Sequence, residues 1–170
     1  MRVYNQDKTK LVNSVFSKVY KDYDLMNDVM SLGVHRLWKR NLISWMNPQP
    51  GDKIIDVAAG TGDLSKMISS KNDDSNIFCC VEPNKDMFET GKKKLKSLTN
   101  IKWYLNSAEK LPFKENTFDF YTISYGIRNV TDINLCLKEA YRVLKPGGRF
   151  FCLEFSKVEN EILNLLYQKY

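Results

Sequence analysis

Five short apolar runs, separated by stretches with helical spacing, constrain the fold of this sequence most strongly. The runs cover residues 53–58, 77–82, 101–107, 118–124 and 149–155. Strands that alternate with helices predict a parallel sheet with right-handed crossovers and helices on its faces. The sequence therefore predicts a Rossmann-like α/β fold, in which ligands bind beyond the carboxyl ends of the strands.

The stretches between these runs predict three helices with apolar sides. The first runs from Asp63 to about Ser70, the second follows Pro83, and the third covers 131–144, with KPGG expected to end it. The predicted buried positions are Met87, Gly91 and Leu95 on the second helix and Leu135, Ala140 and Leu144 on the third.

The residues ahead of the sheet predict a helical cap. The region from about 8 to 47 is rich in apolar residues, and NPQPG ends it. A segment this apolar is expected to pack over the ligand-binding edge of the sheet or against a substrate. The side chains of Met26, Met30 and Trp38 are predicted to lie in the core, with the lining of a pocket for an apolar substrate tail as the alternative.

The 170 residues predict a single domain. Within it we expect the helical cap at 1–50, an α/β core at 51–157 and the start of a further helix at 158–170.

The net charge of +6 is concentrated in two clusters, HRLWKR at 35–40 and GKKKLK at 91–96. Each cluster is interpreted as a solvated helix face, with an anionic membrane surface as the functional alternative. No nucleic-acid-binding motif accompanies the charge, so no nucleic-acid partner is expected. No apolar run approaches the ~18 residues typical of a membrane span, and the first ten residues lack an apolar signal core.

The cysteines are predicted to be reduced core residues. They are Cys79, Cys80, Cys136 and Cys152, none of them in a CxxC spacing, and the chain has a single histidine. This composition predicts no metal site.

The segment DVAAGTGD at 56–63 predicts a ligand-binding turn. Gly60 and Gly62 follow the first predicted strand and precede a helix, so the backbone can pass close to a ligand there. Glu82, Ser107 and Ser124 end other predicted strands, which places them on the same rim of the sheet.

The chemistry of this turn favours a positively charged ligand over a pyrophosphate. The dinucleotide fingerprint GxGxxG is incomplete because Ser65 stands at its last position. Asp56 and Asp63 flank the turn, which suits a sulfonium and ammonium ligand such as S-adenosylmethionine. Glu82 is placed to accept hydrogen bonds from ribose hydroxyls. An NAD-dependent oxidoreductase is therefore disfavoured.

Two stretches resemble the signatures of a known family. YDLMNDVMSLGVHRLW (23–38) and RVLKPGGRFFCLEFS (142–156) resemble those of the ubiquinone/menaquinone biosynthesis C-methyltransferases, a branch of the class I S-adenosylmethionine-dependent methyltransferases. Between them, DVAAGTGDLS, SAEKLPF and ISYGIRNVTD follow the family's order, so the resemblance covers about residues 10–157. It implies a seven-stranded sheet, and we expect the last strands to be missing from this sequence, leaving the fifth strand as an unprotected edge.

The resemblance implies where the cofactor S-adenosylmethionine would bind. Thr61 is expected to meet its amino-acid end, Asp56 to orient the turn or the ammonium group, and Glu82 to take the ribose hydroxyls. The full set of expected cofactor residues is Asp56, Gly60, Thr61, Gly62, Glu82, Ser107, Ala108 and Ser124.

The implied reaction is methylation of a ring carbon in a polyprenylated benzoquinol. Arg128 is expected to stabilise phenolate charge as a catalytic residue, with water taking the proton; the alternative is a structural ion pair with an acid such as Asp132. Asn129 is a second candidate for positioning the ring oxygen. His35 is a candidate general base or a packing residue.

Three residues have two open interpretations. Tyr23 and Asn27 are expected to line the quinol pocket or to cap helices. Glu154 has either a role on the rim or a local ion pair.

The resemblance also implies partners and a location. We expect peripheral membrane contact, a homodimer and, in mitochondria, a quinone-biosynthesis complex. The expected location is the matrix side of the mitochondrial inner membrane, or alternatively the bacterial cytoplasm.

Several alternatives to this function stay open. One is methylation of demethylmenaquinol, and another is methylation of a small metabolite or RNA. The last is a truncated, non-catalytic cofactor-binding scaffold.

Overall fold

The structure is a computed structural model that describes residues 33–69 and 75–154. Its helices are α1 (Val34–Met46), α2 (Asp63–Ser69), α3 (Lys85–Lys94) and α4 (Ile133–Val143), with a short 3-10 helix at Ile127–Asn129. Its strands are β1 (Lys53–Val57), β2 (Ile77–Val81), β3 (Ile101–Tyr104), β4 (Phe118–Ser124) and β5 (Leu144–Leu153). The cap ahead of residue 33, including Met26 and Met30, and the helix expected at 158–170 lie outside the described residues.

The five strands form one parallel sheet in the order β3-β2-β1-β4-β5. The chain moves outward from β1 to β3 and then returns to place β4 on the other side of β1. Val57 at the end of β1 pairs with Val81 on one side and with Ile123 on the other. The order therefore reverses between β1 and β4, where a parallel sheet opens a crevice for a ligand. The predicted α/β fold is confirmed.

The bounds of β4 agree with its predicted run, whereas β1, β2 and β3 end earlier than predicted. Ala58, Glu82 and residues 105–107 consequently lie beyond the strands, on the rim. β5 begins at Leu144, ahead of KPGG instead of after it. Its pairing with β4 jumps from Leu144 to Arg149, so that KPGG forms an irregular excursion within the strand.

One face of the sheet is covered by α1 and α2. Leu42, Ile43 and Met46 of α1 pack with Leu64 and Ile68 of α2 against Ile54, Phe78 and Phe120 of the strands. α1 is the described part of the predicted cap, and it covers this face of the sheet. The expectation that the cap packs over the ligand-binding edge or against a substrate falls mainly on residues outside the described ranges and stays a prediction.

The prediction that Trp38 lies in the core is wrong. The buried residues of α1 are His35, Lys39, Leu42, Ile43 and Met46, which form one helical stripe. Trp38 stands outside that stripe and is 39% exposed. Trp45 is 73% exposed for the same reason.

The contact of α3 with β3 confirms the predicted apolar side of the second helix. Met87, Gly91 and Leu95 are buried. A Cβ added at Gly91 would lie 2.2 Å from Cη2 of Trp103, so the absence of a side chain lets α3 approach the indole ring. Phe88 meets the same ring edge to face, with the centroids 6.0 Å apart.

The opposite face is covered by α4, whose orientation differs in part from the prediction. Ala140 is buried as expected, but its buried neighbours are Cys136 and Val143. Leu135 is 45% exposed, so the prediction that it is buried is wrong. The spacing of Cys136, Ala140 and Val143 defines a stripe that excludes Leu135.

The cysteine prediction is right at three positions and wrong at one. Cys79, Cys80 and Cys136 are buried free thiols, whereas Cys152 on the outermost strand β5 is exposed.

No helix within the described ranges is long and apolar enough to cross a membrane. The same ranges contain no group of three or more His, Cys, Asp or Glu residues that could hold a metal ion.

Candidate active site

The turn between β1 and α2 depends on left-handed backbone. The φ angles are 52° at Ala58, 59° at Gly60 and 80° at Gly62. A Cβ added at Gly62 would lie 2.7 Å from Cδ1 of Leu95 and 2.9 Å from Cζ2 of Trp103. Gly62 is thus required by its backbone angle and by its packing against neighbouring elements, in addition to any approach of a ligand.

The carboxylate of Glu82 joins the end of β2 to this turn. Its Oε2 accepts a hydrogen bond from the Gly60 N–H at 2.8 Å, and its Oε1 accepts one from the Asn84 N–H at 2.9 Å. Burial raises the pKa of Glu82 to about 7, although both hydrogen bonds act to lower it. Each carboxylate oxygen has a further lone pair, so the group can still accept ribose hydroxyls.

Asp56 lies beneath the turn within a buried polar network. Its two carboxylate oxygens accept hydrogen bonds from Ser65 Oγ at 2.9 Å and Thr122 Oγ1 at 3.0 Å. Cys80 Sγ donates in turn to Ser65 Oγ at 3.1 Å. Burial raises the pKa of Asp56 to about 6, against the effect of these hydrogen bonds. Asp56 therefore ties β1 to α2 and β4, which agrees with its expected role of orienting the turn.

Asp63, the other acidic residue of the turn, is paired within the protein. Its Oδ2 lies 2.8 Å from Nζ of Lys39, a largely buried cation of α1. Burial acts to raise the pKa of Asp63, but Lys39 and more distant cations lower it below its usual value. Protein groups thus contact the carboxylates of both Asp56 and Asp63, and the expectation that these two acids favour a cationic ligand stays a prediction.

The end of β4 leaves a buried hydroxyl beside the point where the strand order reverses. Within the described residues, Ser124 Oγ is buried and has no hydrogen-bond partner. Tyr125 follows in left-handed backbone with φ 56°. A Cβ added at Gly126 would lie 2.5 Å from Cβ of Ala58. The chain after β4 thus lies close to the chain after β1. Buried hydroxyls in proteins normally have a hydrogen-bond partner, so the Ser124 hydroxyl fits a polar group of a bound ligand at this place.

The segment after β3 is fixed to the segment after β4 by Glu109. Its Oε1 accepts hydrogen bonds from the Thr131 N–H at 2.8 Å and the Asp132 N–H at 3.2 Å. Ala108 is buried within the core cluster beside α4, and Ser107 is partly exposed on the rim. Of this predicted pair, the Ala108 methyl group is therefore part of the core.

Arg128 forms an ion pair on the rim, with a partner other than the acid suggested by its sequence neighbours. Its Nη1 contacts Oε1 of Glu154, which follows β5, and its backbone N–H lies 3.5 Å from Oε2 of the same carboxylate. Asp132 instead caps α4, accepting the Leu135 N–H at 3.1 Å. The Arg128 side chain is 50% exposed in this ion pair.

The catalytic candidates His35 and Arg128 are associated with opposite faces of the sheet. His35 is buried on α1, on the face shared with α2, and its charge acts on Asp63. The segment of Arg128 and Asn129 packs onto the other face through Ile127 and Val130. Tyr23 and Asn27 lie outside the described residues.

Ser65, Thr122 and Glu109 belong to this site but are not among the residues predicted for it. In the sequence, Ser65 signals only that a glycine of the dinucleotide fingerprint is missing, and Thr122 stands within an apolar run. A polar residue at a buried position was the available signal, but its hydrogen-bond partners depend on tertiary packing.

Solved structures share this fold at low sequence identity. The cyclase SpnF matches with a TM-score of 0.73 and 18% identity, over 87% of this chain and 61% of that one. An S-adenosylmethionine-dependent methyltransferase from Aquifex aeolicus matches with a TM-score of 0.61 and 22% identity, over 72% and 66%. Because a cyclase is among these proteins, the fold alone does not decide the reaction.

Curated proteins match at much higher identity. The mitochondrial 2-methoxy-6-polyprenyl-1,4-benzoquinol methylase of Dictyostelium discoideum is 45% identical, over 99% of this chain and 63% of its own length. The ubiquinone/menaquinone biosynthesis C-methyltransferase of Rickettsia bellii is 50% identical, over 99% and 70%. The chain thus spans about two thirds of these relatives.

The family model of the ubiE/COQ5 methyltransferases matches residues 1–170, the whole sequence. This match agrees with the curated relatives and with the Rossmann-like class I methyltransferase fold. The chain belongs to the ubiE/COQ5 methyltransferase family.

Proposed function

We propose that this protein is an S-adenosylmethionine-dependent C-methyltransferase that methylates a polyprenylated benzoquinol in ubiquinone biosynthesis. The observation that carries the proposal is the family match over the whole chain, with relatives whose names include a benzoquinol methylase. The site adds independent support, because the residues around the crevice between β1 and β4 fit an adenosine cofactor.

The fit rests on three features of this rim. The turn at 58–62 brings backbone close to the crevice, the Glu82 carboxylate has unused acceptor capacity, and the Ser124 hydroxyl is buried without a partner. We propose that Glu82 holds the ribose hydroxyls and that Ser124 lies beside the reacting end of the cofactor. When bound, S-adenosylmethionine supplies an electrophilic methyl group on a sulfonium.

Arg128 is the proposed catalytic residue on the substrate side. The ring carbon of a quinol becomes a good nucleophile when the neighbouring hydroxyl loses its proton, and a phenol has an unperturbed pKa of about 10. A guanidinium beside that oxygen favours the phenolate electrostatically. With half of its side chain exposed, Arg128 can meet an oxygen of the ring while Glu154 holds its other side. Asn129, the next residue, is the proposed second contact with the ring.

The proposed partners and location follow from the substrate. A polyprenylated quinol resides in a membrane, so we propose peripheral membrane contact, a homodimer and a quinone-biosynthesis complex. The names of the relatives from Dictyostelium discoideum and Danio rerio support the mitochondrion, and we propose the matrix side of its inner membrane. The Rickettsia relatives support the bacterial cytoplasm as the alternative.

The second candidate function is methylation of a demethylmenaquinol. The name of the Rickettsia bellii relative, which includes both ubiquinone and menaquinone biosynthesis, favours it.

A methyl-transfer assay separates the two functions. The purified chain is incubated with labelled S-adenosylmethionine and with a short-chain methoxy-benzoquinol or a demethylmenaquinol in detergent, and label in the quinol is measured. We expect label in the benzoquinol. Label only in the demethylmenaquinol would establish the second candidate. Cofactor binding without label in either quinol would instead indicate a non-catalytic scaffold.

A further inference from the structure

The ion pair between Arg128 and Glu154 includes a carboxylate that could accept the proton released in quinol methylation. The ring hydroxyl must lose its proton, but the guanidinium group of an arginine keeps its own proton and is a poor base. Glu154 brings a carboxylate to the same rim, because β5 is paired in parallel beside β4 and both strands end there. Its side chain is only 18% exposed, and it contacts the guanidinium as well as the Arg128 backbone.

We propose that Glu154 is the general base that takes the proton from the ring hydroxyl, while Arg128 holds the oxygen beside it. This inference rests on the proposed quinol methylation. The hydroxyl proton passes to the carboxylate as the ring carbon gains the methyl group. The hydrogen on that ring carbon is then lost, and Glu154 returns its proton to the oxygen, so that one proton in total is released. An ionised carboxylate in hydrogen-bond reach of a hydroxyl is a common general base.

The groups that face Glu154 are poorer acceptors. Burial and the charge of Glu154 raise the pKa of Tyr125 to about 12, although Arg128 acts to lower it. Cys152 is exposed on β5, and its partial burial together with the charge of Glu154 raises the pKa of its thiol. Both groups therefore keep their protons at neutral pH. Arg128 is a cation, which leaves Glu154 as the anion of this group.

The other acids and the histidine near the rim are used elsewhere. Asp56 accepts hydrogen bonds from Ser65 and Thr122, and Glu82 accepts two backbone N–H groups. His35 is on the α1 face of the sheet, where its charge acts on Asp63.

The chain offers a matched pair of substitutions for the test. Glu154→Gln removes the base but keeps an amide oxygen that can accept from Arg128. Asp132→Asn removes a carboxylate four residues from Arg128 and keeps the helix cap, since asparagine is an equally good N-cap residue. Both variants should bind S-adenosylmethionine like the wild type and unfold at a similar urea concentration.

The kinetic result expected for Glu154→Gln is a fall in kcat of about 100-fold or more, with KM for the quinol nearly unchanged. Glu154→Asp, which keeps a carboxylate, should retain more of the wild-type kcat than Glu154→Gln, and Asp132→Asn should match the wild type. A Glu154→Gln variant that retains a tenth or more of wild-type kcat would overturn the proposal.

A second readout needs neither cofactor nor turnover. 4-Nitrophenol changes its absorption when it ionises, so its ionisation can be followed while it is bound to the chain. Removal of the negative charge in Glu154→Gln should shift this ionisation to lower pH, because Arg128 remains. Asp132→Asn should leave it unchanged. Equal ionisation in wild type and Glu154→Gln would contradict a hydroxyl site beside Glu154. A wild-type chain that neither methylates a quinol nor binds the phenol would refute the proposed function, and this inference with it.

Discussion

The buried carboxyl of Asp56 predicts an unusual pH dependence of stability, which an Asp56→Asn variant should reveal. Asp56 is 2% exposed and lies between Ser65 and Thr122. An asparagine has nearly the same shape and stays neutral at every pH. The difference in unfolding free energy between wild type and variant therefore isolates the ionisation of Asp56.

The size and sign of the effect follow from its raised pKa. Burial moves this pKa from 3.8 to about 6 in the folded protein. Between these values the folded protein holds the proton more tightly than the unfolded chain, so wild-type stability falls as pH rises. The whole effect corresponds to about 3 kcal/mol, of which roughly half falls between pH ~5 and pH ~8.

Urea denaturation of both proteins at several pH values measures this difference. Asp119→Asn is the matched control, because the pKa of Asp119 is lowered by the Lys145 hydrogen bond in spite of partial burial. Its contribution has the opposite sign, being present at neutral pH and lost as the pH falls. A wild-type-minus-variant difference for Asp56 that stays constant, or that grows with pH, would refute the argument from burial.

Three further substitutions test the packing and the ligand site. Gly91→Ala should destabilise the fold by about 1–2 kcal/mol in urea denaturation, since overpacking against Trp103 outweighs the higher helix propensity of alanine. An unchanged or higher urea midpoint of unfolding would contradict the close approach of α3 to β3. Ser124→Ala should raise the unfolding free energy of the ligand-free protein by about 1 kcal/mol, because it removes a buried hydroxyl without a partner, yet weaken S-adenosylmethionine binding by about tenfold. An unchanged affinity of the Ser124→Ala variant for S-adenosylmethionine would show that Ser124 does not contribute to the cofactor site. Wild-type affinity for S-adenosylmethionine should rise with pH up to about 7, as Glu82 ionises, and Glu82→Gln should abolish this dependence in calorimetric titrations.

The sequence predicted the order and type of the described elements well because their signals are local. The predicted run FDFYTIS begins and ends at the same residues as β4, and the glycine turn follows β1 as expected. The errors arise where side-chain orientation depends on packing. Leu135 and Trp38 are apolar and have near-helical spacing, yet the stripe that faces the sheet lies elsewhere on each helix.

The site was predictable for single positions but not for their partners. Glu82 was placed on the rim from its distance to the turn, and the structure adds its hydrogen bond to Gly60. The ion pair of Arg128 with Glu154 joins residues 26 positions apart, and it exists because β5 is paired beside β4. Proximity in the sequence suggests Asp132 as the ion-pair partner of Arg128. Such proximity carries no information about strand pairing, which brings Glu154 to Arg128 instead.

A calorimetric titration of the purified chain with S-adenosylmethionine, S-adenosylhomocysteine and NAD tests the assignment of the cofactor site most directly. We expect saturable binding of the first two and none of NAD. Glu82→Ala should weaken the binding of both, whereas Asp132→Asn should leave it unchanged. Binding of NAD in place of the adenosyl sulfur compounds, or equal affinity in the Glu82→Ala variant, would contradict the assignment of the crevice between β1 and β4.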